Sequence, residues 1–102
     1  MKKAIQIDEK DNVATATSNL ESDETVEVLS PEGKIIDTPK TVSAIPFGHK
    51  IALINFNKKD HVIKYGEIIG VASQPIKAGE WAHTHNIESA TVPTSAYTEE
   101  AE

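Results

Sequence analysis

Ile45-Pro46-Phe47-Gly48-His49-Lys50-Ile51-Ala52-Leu53-Ile54-Asn55 shows the pattern of the whole chain in eleven residues. An extended stretch runs up to a proline, a Pro-x-Gly turn follows, and the most apolar run of the sequence, Ile51 to Asn55, comes directly after. Such a run is too short for a helix and rich in isoleucine, which predicts a core strand. Pro39 and Pro46 bracket Thr41 to Ile45, which reads as extended or edge-like because proline is excluded from central strands.

Working outward, the same alternation of short apolar runs and turn formers repeats. Ala4 to Ile7 and Val13 to Thr17 read as strands closed into a hairpin across the polar cluster Asp8 to Asn12. Thr25 to Leu29 and Lys34 to Asp37 form a second pair around Ser30-Pro31-Glu32-Gly33. Asn57 to Asp60 reads as a turn or a single helical turn, Glu67 to Ala72 as another core strand, and Ile76 to Glu80 as a short connection into Trp81 to His85. No segment sustains the helical spacing of apolar residues, and no internal repeat or low-complexity tract stands out. The expectation is a mainly β domain of short strands and hairpins over residues 1–92, followed by an acidic flexible tail over 93–102 (PTSAYTEEAE).

Composition narrows the function. The chain has 102 residues, with 10 lysines, no arginine and 16 acids, for a net charge of −6. A chain this short buries about 65% of its unfolded surface, enough for one small core but not for a deep cleft between two domains of its own. With no cysteine there is no disulfide frame, thiolate metal site or cysteine nucleophile. Net acidity and the lack of arginine argue against nucleic acid, whose binding rests on neutralising phosphates. No apolar run has the length of a membrane span and the N-terminus lacks the apolar core of a secretory signal, so the expectation is a cytoplasmic protein with no membrane partner.

The residues able to do chemistry gather between Gly48 and Ile87. His83-Thr84-His85, if on a strand, places both imidazoles on one face, where they can ligate one metal ion; a third ligand would have to be His49, a carboxylate such as Glu67 or Glu80, or a group from another chain. Two solvent-facing histidines on a hairpin give the same pattern. In Gly48-His49-Lys50 the imidazole can exchange protons near neutral pH and the lysine can hold a carboxylate, although a polar turn leading into Ile51 reads the same way. In Lys64-Tyr65-Gly66-Glu67 the glycine suits a turn of positive φ and Lys64 can face anionic oxygens. Trp81 reads as a core plug, His61 as solvated, and Asn55 and Asn86 as turn or hydrogen-bonding residues.

Taken in order, IPFGHKIAL (Ile45 to Leu53), VIKYGEIIGVA (Val62 to Ala72) and IKAGEWAHTHN (Ile76 to Asn86) resemble the small N-terminal domain of the altronate/galactarate dehydratase family, as does Asp11 to Ala16 upstream. The resemblance covers roughly Asp11 to Ile87 and implies an SAF domain of β-clip fold. It implies a lyase that removes water or sulfite by β-elimination from a sugar acid or a hydroxy or sulfo acid. A divalent metal, iron above all, is expected in the assembled enzyme. It also implies a large catalytic subunit as partner, as in (2R)-sulfolactate sulfo-lyase, with self-association left open and the chain inactive alone. On this basis His49, His83 and His85 are expected to be catalytic, Lys50, Lys64 and Asn86 to bind substrate, and His83 and His85 to ligate metal. A non-catalytic module that binds sugar acids or serves as an interface is the alternative. The sequence departs from the family pattern where turn glycines are replaced in Glu21-Ser22-Asp23 and at Lys59, and where Ala82 takes a bulky apolar position.

Overall fold

Short apolar runs broken every few residues by turn formers make short strands, and the computed structural model, which describes residues 1–89, has nine of them and no helix. They are β1 (Lys3–Ile5), β2 (Val13–Ala16), β3 (Glu27–Leu29), β4 (Ile35–Asp37), β5 (Lys50–Ala52), β6 (His61–Lys64), β7 (Glu67–Ala72), β8 (Trp81–Ala82) and β9 (Ile87–Glu88). Six form one sheet in the order β4-β3-β1-β2-β5-β8, and three form a second in the order β6-β7-β9. All neighbours are antiparallel except β1 and β3. The mainly β expectation and both N-terminal hairpins are therefore met; the expected tail over 93–102 lies outside the described residues.

Two small apolar clusters make the core. One gathers Leu20, Val26, Val28, Ile45 and Ile51 with the alanines of β1 and β2. The other gathers Val13, Phe56, Val62, Ile76 and the alanines at 52, 72 and 82. Three expectations change. The run 51–55 is a strand only to Ala52, and Ile54 is exposed. Thr41 to Ile45 forms no strand; Ile45 makes an isolated bridge to Leu20. β7 exists, but Ile68 and Ile69 face solvent, because β9 pairs only with Val71 and Ala72 and leaves the outer half of the β6–β7 hairpin uncovered.

One turn occurs four times. It begins on a buried apolar residue, places its fourth residue at positive φ, and returns to the core at its seventh. Leu20 to Val26, Ile45 to Ile51, Phe56 to Val62 and Ile76 to Ala82 all follow it, with Asp23, Gly48, Lys59 and Gly79 at φ between 67° and 91°. The fourth N–H donates to, and the fifth C=O accepts from, one buried small residue: Thr41, Ala16, Ala72 and Ala52 respectively, at 2.7–3.0 Å. The turns are joined in pairs by the bridges Leu20↔Ile45 and Phe56↔Ile76. In three of them the carboxylate at position five accepts the N–H of position two: Glu24 from Glu21, Asp60 from Asn57 and Glu80 from Lys77, at 2.7–2.8 Å. Accepting that N–H holds the Glu24 carboxyl below its usual range. In the turn 45–51, position two is Pro46, which has no N–H to offer, and position five is His49.

Candidate functional site

His49 is thus relieved of the clamping role that an acid fills at the equivalent place in the other turns. The β5–β8 ladder pairs Lys50 with Ala82 and Ile51 with Trp81. One step further along the same register sets His49 opposite His83, and their ring centroids lie 4.6 Å apart. Residues 49 and 51, and their partners 83 and 81, share a sheet face, so Trp81 lies diagonally from His49. Its indole N–H donates to His49 Nδ1 at 3.2 Å. The indole also stacks on His83, at 5.5 Å between centroids and 10° between planes, and lies 5.0 Å from His85. Trp81 packs against the first apolar cluster, as a core residue would, but it is only half-buried and is also the hub of three imidazoles.

The HxH segment is not on a strand. β8 ends at Ala82, and the chain reverses through His83 to Asn86, with the N–H groups of Asn86 and Ile87 donating to His83 O at 3.0 and 2.8 Å. The reason is Asn86. Its side chain is wholly buried, Oδ1 accepts the His83 N–H at 2.9 Å, and Nδ2 donates to Trp81 O at 2.9 Å. Asn86 was expected to touch substrate; both ends of its amide instead bind main chain, and it fixes the turn that presents His83 and His85. His83 is half-buried and His85 exposed. Desolvation, reinforced by His49, Lys50 and His85, holds the His83 imidazole below its usual value.

Lys50 and His83 border an open pocket of about 220 Å³ whose other walls include Ile69, Thr84, Ile87 and Glu88. The pocket lies where the end of the larger sheet meets the smaller one. Burial, and then the charge on Lys64, hold the Lys50 ammonium below its usual value. A partly desolvated ammonium is a strong partner for an incoming carboxylate, since little water has to be removed from it. Lys64 lies at the end of β6, its Nζ 4.9 Å from the Tyr65 ring centre. Tyr65 and Gly66 both have positive φ and make the two-residue turn of the β6–β7 hairpin.

Sequence reasoning missed what anchors that hairpin. Asp11 is buried, and its carboxylate accepts the N–H groups of Asp8, Tyr65 and Gly66 at 2.8–3.2 Å. The Asn12 side chain donates to His61 O and accepts from Ile63 N. Two adjacent polar residues thus tie the strand carrying Lys64 to the larger sheet, and in the sequence they look like an ordinary turn.

The structure brings together His49, His83, His85 and Lys50, with Lys64 close enough to act on Lys50. The divalent metal implied by the resemblance does not find a complete set of ligands here: among the described residues no three His, Cys, Asp or Glu side chains are grouped to hold an ion. Neither Glu67 nor Glu80 joins the imidazoles; Glu80 is held by the Lys77 N–H. No helix of the described residues is long and apolar enough to cross a membrane.

Comparison with known proteins shows the family of the chain. Residues 2–90 match the altronate/galactarate dehydratase SAF domain. The chain is 36% identical over 89 residues to altronate dehydratase of Bacillus subtilis, covering 87% of this chain but 17% of that protein. It is 37% identical over 62 residues to (2R)-sulfolactate sulfo-lyase subunit alpha of Chromohalobacter salexigens, 56% of this chain and 66% of that one. The counterpart from Paracoccus pantotrophus is 44% identical over 45 residues, 44% of this chain and 67% of that one. The chain thus spans about a sixth of the dehydratase and about two thirds of the sulfo-lyase subunits, and it belongs to the altronate/galactarate dehydratase SAF-domain family, whose named relatives are lyases.

Proposed function

We propose that the chain acts as the small, SAF-domain subunit of a carbon–oxygen or carbon–sulfur lyase. It would work by β-elimination on a sugar acid or a hydroxy or sulfo acid, and complete the active site of a separate large subunit. The observation that carries this reading is the group of three imidazoles around Trp81 beside the Lys50 pocket, in a chain whose relatives include dehydratases and sulfo-lyase alpha subunits. β-Elimination next to a carboxylate needs a base for the α-proton, cationic or N–H partners for the enolate oxygens, and a proton for the leaving group. Lys50, with Lys64 behind it, supplies positive charge for the substrate carboxylate. His83, kept neutral by desolvation and like charge, has the lone pair a base requires, and His85 is exposed toward any partner. A divalent ion in the assembled enzyme would need ligands beyond His83 and His85, and the large subunit would provide them.

The pocket is open and shallow, so the isolated chain is expected to be inactive. The test is reconstitution: dehydration of altronate and galactarate, and sulfite release from (2R)-sulfolactate, measured for this chain, for a large subunit, and for the two together. Turnover only in the mixture supports the proposal, and full turnover by the large subunit alone refutes it. A second reading, a non-catalytic interface module, is favoured by a separate apolar trough of about 320 Å³ lined by Leu20, Ile45, Pro46 and Trp81, next to Phe47, which is 65% exposed. Binding of the large subunit with undiminished activity in histidine variants would select it.

A further inference from the structure

The hydrogen bond between Trp81 and His49 constrains what His49 can do. A neutral imidazole carries one proton, and its two nitrogens are then a donor and an acceptor. Indole Nε1 only donates, so the His49 Nδ1 that faces it at 3.2 Å must be the acceptor. The proton of the neutral ring is therefore on Nε2. Its one lone pair is already occupied by the indole, and among the described residues no group accepts from Nε2. His49 in this setting is a donor without a free lone pair.

The surrounding structure holds Trp81 firmly enough to impose this. Its main-chain oxygen accepts from the buried Asn86 amide, its place opposite Ile51 is set by the β5–β8 ladder, and its ring stacks on His83. His49 itself is fixed by its N–H donating to Pro46 O and its C=O accepting from Ala16. The residue type is also unusual for its place, since Glu24, Asp60 and Glu80 stand there in the other three turns and bind their own turn's N–H. With Pro46 removing that N–H, the side chain is left free to meet the indole.

We propose that Trp81 is a positioning residue that makes His49 a hydrogen-bond donor through Nε2, for an oxygen of the substrate carboxylate or of the enolate formed from it, and not the base that removes the α-proton. This rests on the lyase reading above, and it moves the base role to His83, His85 or a group of the large subunit. Atoms balance in the simplest way: His49 lends an N–H to a developing oxyanion and keeps its proton, while the α-proton goes elsewhere.

Two measurements test it, and their failures are distinguishable from failure of the lyase reading. The first uses the full chain labelled with ¹⁵N, at a pH where the imidazoles are neutral. Long-range proton–nitrogen correlation should show His49 with a single tautomer, protonated at Nε2, and a Trp81 indole N–H that exchanges slowly. In Trp81→Phe the His49 signals should move toward a mixture of tautomers, and in His49→Phe the indole N–H should exchange at least tenfold faster. A wild-type His49 protonated at Nδ1, or an indole N–H exchanging as fast as a free one, overturns the proposal whatever the enzyme assay gives, and requires no variant to fold. The second uses the enzyme reconstituted with the large subunit. His49→Gln keeps an N–H near the position of Nε2 but has no basic nitrogen. It should retain turnover within about tenfold of wild type, while His49→Ala loses about 10²–10³. Equal loss in the two variants overturns the donor role, and the tautomer result then stands apart from it.

Discussion

Replacing Asn86 by alanine removes the side chain that turns the chain back after β8, and the structure sets the size of the effect. Two hydrogen bonds are lost, and their partners, the His83 N–H and the Trp81 C=O, stay in a part-buried place with nothing else to bind. An abandoned buried donor or acceptor costs about 1–3 kcal/mol. Both partners are only partly screened from water, so the lower half of that range applies to each and the sum is about 2–4 kcal/mol. For a domain of this size that is a fall in midpoint of about 10–20 °C. Urea unfolding followed by the fluorescence of Trp81, the only tryptophan, reads the loss at the place where it arises. Asn86→Asp keeps the acceptor for His83 but sets a negative oxygen against the Trp81 carbonyl, so it should be at least as destabilised at pH 7. A change below about 0.5 kcal/mol in Asn86→Ala, with the His83 and Trp81 amide resonances unmoved, would refute the assignment of Asn86 as the clamp of the histidine turn.

Three further outcomes follow from the same geometry. Gly48→Ala meets open space and should cost only the left-handed backbone term of about 1–2 kcal/mol, whereas at Gly79 an added Cβ would lie 2.2 Å from Lys40 O, so Gly79→Ala should lose clearly more in thermal unfolding. Lys59 holds φ 78° where the equivalent turns have glycine at 48 and 79, so Lys59→Gly should raise stability by about 0.5–1 kcal/mol in the same assay. The His83 imidazole is held below its usual value of 6.5, so the unfolded chain takes up its proton more readily than the native one. The native state carries no penalty from this group above pH 6.5 and loses stability as the pH falls through 6.5 toward the native value; in urea titrations from pH 7.5 to 5, His83→Gln should flatten that decline.

Local turn chemistry was legible in the sequence. Ser30 to Gly33 and Tyr65-Gly66 announce their hairpins because proline fixes φ and glycine tolerates the positive φ that such turns require. The exposure of Ile68 and Ile69 was not legible, since an apolar run does not say how far a neighbouring strand will cover it. The fourfold turn was hidden because its fourth position is filled by Asp23, Gly48, Lys59 and Gly79, so the four copies share a positive φ rather than one residue type, and the carboxylate clamp at position five is absent from the turn 45–51. The grouping of His49 with His83 was expected from the resemblance, but whether the HxH pair lies on a strand or in a turn was not legible; a buried amide, Asn86, decides it, through two bonds that depend on the exact reversal of the chain. The hub role of Trp81 follows from the pairing of β5 with β8, a register that spacing alone does not supply.

The account stands most directly on one rate. With the large subunit present, elimination from altronate, galactarate or (2R)-sulfolactate should fall about 10²–10³-fold when the small chain carries His83→Ala, while that chain remains folded and still co-purifies with its partner. Turnover equal to wild type in a folded, assembled His83→Ala enzyme would contradict it and leave the imidazole cluster without a part in the chemistry.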